Sequence, residues 1–140
     1  MITMRRLIGF CLVWLLLSGG VAMAQGGGRQ QIESAKIGLI TNRLNLTSDQ
    51  APGFWSVYNE YDDKRSDIRR KIRQLNGGQN LTDEKALSNI KEINELKQQL
   101  ANLDEEYSKK FLKVISPKQL NELYNTERTF SKMLLEQLKN

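Results

Sequence analysis

Two short segments of this 140-residue chain repeat one pattern: an aliphatic residue, a hydroxyl residue, two free positions and a glutamine. The first is Leu46–Gln50 (LTSDQ), and the second, 69 residues later, is Ile115–Gln119 (ISPKQ). In a capping box the hydroxyl accepts a hydrogen bond from the N3 amide, while the glutamine side chain reaches back to the N-cap amide. Each segment therefore predicts the start of a helix. The candidate motif residues are Leu46, Thr47, Gln50, Ile115, Ser116 and Gln119.

Apolar residues at helical spacing follow both boxes and predict an all-α protein. The glycine-containing segment 76–80 is the clearest break in the pattern, and no useful length of chain alternates with the period of a strand. The expected helices cover residues 32–43, 48–75, 82–112 and 117–139. The second helix carries a heptad-like, coiled-coil seam of Phe54, Tyr58, Tyr61, Ile68, Ile72 and Leu75, with Arg65 in register.

The length of the second helix limits the core that a single chain can build. At about 1.5 Å per residue it is a rod of about 42 Å, with Pro52 and Gly53 in its second turn, where they should weaken or kink it. Two long antiparallel helices joined at Gly77–Gly78, with shorter helices hooked at the ends, leave an apolar stripe uncovered. We therefore expect a homodimer in which a second copy covers that stripe.

The first 24 residues have the layout of a secretory signal peptide. A charged pair, Arg5 and Arg6, precedes an apolar run at residues 7–17 and a small-x-small cleavage site that ends at Ala24. The run is shorter than the roughly 20 residues of a membrane span, so a retained anchor is the less favoured alternative. We expect export to the periplasm. The expected organisation is a cleaved signal peptide (1–24), a flexible leader (25–31) and one helical domain (32–140).

The composition narrows the possible chemistry further. The full chain carries a formal charge of +5, and removal of Arg5 and Arg6, the only charged residues before residue 25, leaves +3. There is no His, and the single Cys, Cys11, lies in the predicted signal peptide. We therefore expect no disulfide, metal site or cofactor. A mildly basic exported protein suits lipid headgroups or acidic, unfolded polypeptide better than nucleic acid.

The candidate binding residues lie in the second helix. Trp55 directly follows Phe54, so both cannot face one narrow seam, and Trp55 is the better candidate for an interface anchor. Arg65, Arg69 and Arg73 recur at i, i+4 and i+8 and form one stripe. The stripe is either a solvated face or a basic track that holds partly unfolded chains. The candidate residues for client or partner binding are Trp55, Tyr58, Arg65, Arg69 and Arg73.

Residue patterns that mark common active sites are missing from the sequence. A chain without His has no Ser–His or Cys–His pair, and neither a glycine-rich phosphate loop nor a nucleophile elbow is present. Serines and carboxylates occur, but without a base partner they are ordinary residues of helix surfaces. We expect no enzymatic activity.

The two boxes also resemble the paired LTxxQ motifs of the Spy/CpxP-like family of small periplasmic proteins. The first copy, Leu46–Gln50, is intact, and the second, Ile115–Gln119, is conservatively altered. The segments Lys36–Thr47 and Phe54–Tyr61, with the final helix around Glu127, resemble a branch labelled "sensor of ECF-type sigma factor". The resemblance covers nearly the whole chain after the predicted signal peptide.

What the resemblance implies is an elongated, hooked α-hairpin that pairs antiparallel into a cradle-shaped homodimer. Some relatives act as ATP-independent chaperones on the concave face, and others restrain an envelope-stress sensor. We therefore expect an exported, chaperone-like protein of the envelope stress response that binds polypeptide without chemistry. Two alternatives stay open: a regulatory sensor module that docks on a dedicated envelope-signalling partner of a sigma-factor pathway, and a structural helical adaptor.

Overall fold

Four α-helices make up the part of the chain that the computed structural model describes, residues 24–139. No strand occurs within these residues, so the predicted all-α class is confirmed. None of the described helices combines the length and the apolar character needed to cross a membrane. In chain order the helices are α1 (Ala24–Leu44), α2 (Ala51–Asn76), α3 (Asp83–Phe111) and α4 (Pro117–Gln137).

The predictions for the N-terminal residues can be compared with the structure only in part. The predicted signal peptide lies outside the described residues except for Ala24, where α1 begins. Residues 25–31, expected to be a flexible leader, are helical and belong to α1. Extending a helix is much easier than nucleating one, so these residues continue the helix that follows them despite their glycines. Within the described residues the chain divides into two units, with the boundary between Leu39 and Ile40.

α2 and α3 form an antiparallel hairpin whose tip is the predicted break at residues 76–80. α2 ends at Asn76 and is capped by Gly77, whose N–H donates to the Arg73 carbonyl at 3.0 Å. Asn80 then takes a left-handed backbone conformation (φ 55°), which asparagine tolerates better than most residues. Thr82 caps the start of α3, because its hydroxyl accepts from the Lys85 N–H.

The start of α2 differs from the prediction. The helix begins at Ala51 and not at Ser48, because Pro52 lacks the N–H that would bond to the Ser48 carbonyl. The proline therefore lies in the first turn, and α2 continues without a break to its end. A Cβ atom on Gly53 would meet Val114 Cγ1 at 3.2 Å. Glycine at this position allows α2 to approach the segment that joins α3 to α4.

The core of the second unit is aromatic. Phe54, Tyr58, Tyr107 and Phe111 are almost completely buried. The ring centroids of Phe54 and Phe111 are 5.6 Å apart, and those of Tyr61 and Tyr107 are 5.3 Å apart, which joins α2 to α3. The predicted seam is thus confirmed at its three aromatic positions. Aliphatic side chains from α1 and α4 complete the core: Ile40, Leu44, Leu120 and Leu123.

A buried ion pair joins α2 to α4. The Arg65 guanidinium donates to the two carboxylate oxygens of Glu127 at 2.8 and 2.6 Å and to Asp62 at 2.9 Å. Tyr58 donates to the same Glu127 carboxylate at 2.9 Å. Only 8% of Arg65 is exposed, so the expectation that it lies on an exposed basic stripe is wrong. The physical reason is that Glu127 and Asp62 neutralise its charge within the seam.

Two tyrosines extend this ion pair and stay protonated. Tyr61 donates to Asp104 of α3 at 2.6 Å, so the group links three helices. Burial and the Glu127 carboxylate raise the pKa of Tyr58, and burial and the bond to Asp104 raise the pKa of Tyr61. Burial alone would lower the pKa of Arg65, but the bonds to Glu127 more than offset it and raise that pKa. We call this group the Arg65 cluster: Tyr58, Tyr61, Asp62, Arg65, Asp104 and Glu127.

Replacement of Arg65 by Gln should lower the free energy of unfolding by about 3–5 kcal/mol, because the buried Glu127 carboxylate loses its partner. The matched control is Arg69→Gln, one turn further along α2, where the side chain is exposed. That variant should change the free energy of unfolding by no more than about 0.5 kcal/mol. Denaturant unfolding followed by circular dichroism measures both, and equal effects of the two variants would contradict a buried ion pair.

Stability should fall as the pH rises above about 10. The unfolded chain loses the protons of Tyr58 and Tyr61 near that pH, whereas their raised pKa values keep them in the folded chain. The unfolded state then binds fewer protons than the folded state, so alkali favours unfolding. Unfolding curves over about pH 8 to 11 measure the slope. Tyr58→Phe removes one of the two groups and should make the slope shallower; an unchanged slope contradicts the assignment.

Candidate functional site at the paired motifs

The second motif forms the capping box that the sequence predicts at the start of α4. Ser116 Oγ accepts from the Gln119 backbone N–H at 3.2 Å, and Gln119 Oε1 accepts from the Ser116 N–H at 2.9 Å. Pro117 takes the first helical position, where no N–H is needed. The structural prediction for this motif is confirmed.

The first motif makes the same two bonds in the turn that leads into α2. The Gln50 N–H donates to Thr47 Oγ1 at 3.2 Å, and the Thr47 N–H donates to Gln50 Oε1 at 3.2 Å. The Ala51 N–H bonds to the Thr47 carbonyl at 3.0 Å, so the backbone already turns as in a helix. The reciprocal box is therefore present, although regular helix begins only after Gln50.

The two motif glutamines face each other and form a reciprocal amide pair. Gln50 Nε2 donates to Gln119 Oε1 at 3.0 Å, and Gln119 Nε2 donates to Gln50 Oε1 at 2.9 Å. Each amide contributes one donor and one acceptor to the pair, and its oxygen also serves its own capping box. The two motifs thus bind one another directly, across 69 residues of sequence.

The remaining amide hydrogens reach backbone carbonyls of other segments. Gln119 Nε2 donates to the carbonyl of Leu44, the last residue of α1, at 3.1 Å. Gln50 Nε2 donates to the carbonyl of Val114, between α3 and α4, at 3.4 Å. Each side-chain amide thereby makes four hydrogen bonds, which is its full capacity. We call this arrangement the glutamine clasp: Gln50 and Gln119, bonded to each other and to Thr47, Ser116, Leu44 and Val114.

The clasp brings the end of α1, the start of α2, the connection after α3 and the start of α4 to one place. Both glutamines are half-buried. A hydrogen bond in such a position contributes about 1 kcal/mol net, whereas an unsatisfied buried partner costs about 1–3 kcal/mol. Amides are neither nucleophiles nor acids or bases at ordinary pH, so the clasp acts as a structural joint. No group of three or more His, Cys, Asp or Glu side chains placed to hold a metal ion occurs in the described part of the chain.

The structure separates the five residues that were predicted to bind a client or partner. Tyr58 and Arg65 are buried in the Arg65 cluster, so neither offers a surface contact. Trp55 is half-buried, with its ring edge-on against that of Tyr58 at 5.5 Å. Arg69 and Arg73 are exposed. Of the predicted arginine stripe, these two residues remain on the surface.

Sequence reasoning missed the partners of both arrangements. The carbonyls of Leu44 and Val114 are backbone groups, so no side-chain pattern marks them. Glu127, in contrast, could have been identified from the sequence, because it lies in register with the apolar positions of α4, as Arg65 does with those of α2. One acid and one base, each placed in an otherwise apolar seam, predict that the two seams meet at that level.

A set of three substitutions separates helix capping from clasp formation. Ser116→Ala removes one cap and should cost about 0.5–2 kcal/mol. Gln119→Glu keeps the acceptor for the Ser116 N–H, since Glu also completes a capping box, but it cannot donate to Leu44 or Gln50. It should therefore destabilise the fold at neutral pH, whereas Gln99→Glu, on the exposed side of α3, should not. Thermal unfolding measures all three; a Gln119→Glu variant as stable as wild type would show that the clasp adds nothing to the cap.

Removal of both glutamines should cost less than the sum of the two single losses. Gln50→Ala and Gln119→Ala each break the same two amide bonds, so a double-mutant cycle should give a coupling of about 0.5–3 kcal/mol. The free energies of unfolding of the four proteins supply the cycle. Additive losses would mean that the observed amide pair contributes no stability.

Three comparisons with known proteins found no match to this chain: a scan against protein-family models, a search of curated proteins and a search of solved structures. The functional interpretation therefore rests on the motifs, on the clasp and on the surface of the hairpin. Membership of the Spy/CpxP-like family stays a prediction from the sequence.

Proposed function

We propose that this protein is an exported, non-enzymatic polypeptide-binding protein, which holds partly unfolded chains without ATP as Spy/CpxP-like chaperones do. The observation that supports the proposal is a surface on the outer half of the α2–α3 hairpin, beyond the Arg65 cluster. There, exposed aliphatic side chains occur together with exposed basic ones. The clasp and the Arg65 cluster are internal joints of the fold and leave this surface free for contact.

The aliphatic part of the surface lies on α3 and near the hairpin tip. Leu87 is 54% exposed and Ile90 is 55% exposed, and Leu81 is exposed as well. Within the hairpin seam, Ile72 and Ile93 are only half-buried, in contrast to the aromatic residues of the core. Large aliphatic side chains exposed close together on a small protein are typical of an interaction surface.

The basic part of the surface lies on α2. Arg69, Lys71 and Arg73 are exposed, and the stretch from residue 68 to residue 82 contains no acidic residue. Their combined positive potential attracts anionic segments and is screened over about 10 Å at 0.1 M salt. We call this set of residues the hairpin surface: Arg69, Arg73, Leu81, Leu87 and Ile90.

Aliphatic and basic contacts together suit a partly unfolded polypeptide. Such a chain exposes apolar side chains that a folded protein buries, and its carboxylates stay accessible. Contact with exposed aliphatic residues needs no preformed pocket and tolerates many sequences, as flexible binding surfaces do. Release requires no chemistry, because folding of the client removes the apolar groups that were bound.

We further propose that the protein forms a homodimer and works in the periplasm. The half-buried aliphatic residues of the outer hairpin support pairing, since a second copy would remove more of their area from water. The pattern of the first 24 residues supports export. Sedimentation velocity determines the number of copies, and N-terminal sequencing of protein recovered from an envelope extract determines whether cleavage follows Ala24.

Loss of the two exposed arginines should slow the capture of clients. Arg69→Gln with Arg73→Gln should lower the association rate with a reduced, unfolding model protein and weaken its dependence on salt. The matched control is Lys113→Gln with Lys118→Gln, which removes the same charge from exposed positions at the other end of the hairpin. Stopped-flow binding at several salt concentrations measures the rates. Identical rates for both double variants would show that only net charge matters.

Loss of the exposed aliphatic residues should weaken binding at every salt concentration. Leu87→Gln with Ile90→Gln removes apolar area while leaving charge and helix propensity almost unchanged. Suppression of aggregation of several unrelated model proteins, followed by light scattering, provides the measurement. A wild-type protein that suppresses none of them would contradict the chaperone-like function and favour docking on a dedicated signalling partner.

A further inference from the structure

We propose that the last turn of α1, Ile40–Leu44, is a releasable strap over the N-terminal half of α4, and that the glutamine clasp is its latch. Release would uncover an additional apolar groove on the second compact unit. The consequence for polypeptide binding rests on the function proposed above, whereas the release itself is independent of any client.

Two buried aliphatic side chains, one hydrogen bond from Gln119 and one ion pair hold the strap in place. Ile40 and Leu44 insert into the core and are 1% and 3% exposed. Gln119 Nε2 donates to the Leu44 carbonyl at 3.1 Å, which satisfies a carbonyl at the end of the helix. Arg43 pairs with Glu122 of α4 at 3.5 Å, and about half of the arginine side chain is exposed. Such an ion pair contributes little, so two aliphatic side chains and the latch bond carry the attachment.

The other three helices are held together by contacts in which the strap has no part. α1 contains no aromatic residue, so it adds nothing to the ring contacts that join α2 to α3. The Arg65 cluster draws its side chains from α2, α3 and α4. Residues 24–39, which precede the strap in α1, belong to the other compact unit. The core of α2, α3 and α4 therefore retains its main contacts when the strap leaves.

A hinge follows the strap directly. Asn45 has a left-handed backbone conformation (φ 48°), and its N–H donates to the Asn42 carbonyl at 3.3 Å, which ends α1. The first motif begins at the next residue, so a backbone rotation at Asn45 moves the strap and leaves the Thr47–Gln50 box in place.

The residues of α4 beneath the strap determine what the groove can bind. Its position is marked by Gln119, by Glu122 and by the adjacent buried Leu123 of α4. The strap fits it with aliphatic residues at i and i+4 and a basic residue at i+3. A helical segment of a client with the same pattern could occupy the vacated groove, which would couple client binding to opening of the strap.

Hydrogen exchange of the full chain, resolved by mass spectrometry, tests the release. Amides of residues 40–44 should exchange faster than those of α2 and α3 under native conditions. Gln119→Glu removes the donor to Leu44 and should raise exchange in residues 40–44 about tenfold more than in α2 and α3, which corresponds to about 1.4 kcal/mol. Ser116→Ala is the control, since it loses the α4 cap but keeps the latch donor.

Two results of that experiment would overturn the proposal. One is exchange of residues 40–44 at the same rate as the core amides, which would make the strap part of the global folding unit. The other is equal acceleration by Gln119→Glu and Ser116→Ala, which would assign the effect to lost capping. Neither result bears on client binding by the hairpin surface, so failure here is distinguishable from failure of the proposed function.

A peptide experiment tests the groove. Ile40→Asp with Leu44→Asp should keep the strap open, and a fluorescent peptide with the sequence of residues 36–46 should then bind that variant. A peptide carrying Asp at the two corresponding positions should not bind, and wild type should bind the native peptide at least tenfold more weakly. Equal binding of both peptides would overturn the groove assignment. Should the double variant unfold, the exchange experiment decides the proposal.

Discussion

The amide pair between Gln50 and Gln119 is the interaction on which the arrangement of the helix ends depends. A capping box accepts either Glu or Gln at its last position, because only an acceptor is needed there. The clasp needs both an acceptor and two donors on each side chain, and only an amide supplies them. The pairing therefore explains, on physical grounds, why both motifs end in glutamine. It also ties two helix starts together, so that neither box is independent of the other.

A second joint of different character lies further along the same helices. The Arg65 cluster is charged and buried, and it fixes the level at which α4 meets α2 and α3. Buried ion pairs often contribute little net stability, but they penalise any register that separates the charges. The clasp thus holds the starts of α2 and α4 together, and the cluster fixes how far along the helices pair. Beyond both joints the outer hairpin lacks a comparable core, which leaves Leu87 and Ile90 exposed.

Much of the fold can be predicted from the sequence, and the predictions that failed did so for physical reasons. Helix number, the break at residues 76–80 and the Ser116 box follow from local signals that act within a few residues. The start of α2 was misplaced because Pro52 removes a bond from a turn that the box alone would make helical. Arg65 was misassigned because sequence periodicity shows which residues share a helix face, but not which other helix packs against that face. The meeting of two glutamines across 69 residues depends on tertiary packing, which neither box encodes alone.

The near-symmetry of the clasp has a consequence for how such a chain changes over generations. Each glutamine binds one donor and one acceptor of the other. The loss of one glutamine therefore leaves a donor and an acceptor of its partner without a hydrogen bond. The tolerance of position 50 for a new residue therefore depends on what occupies position 119. Descendants of this chain should retain both amides or replace both together, and a lineage with only one should carry a compensating change near Leu44 or Val114. The two motif glutamines are therefore expected to be inherited as one unit, although 69 residues separate them in the sequence.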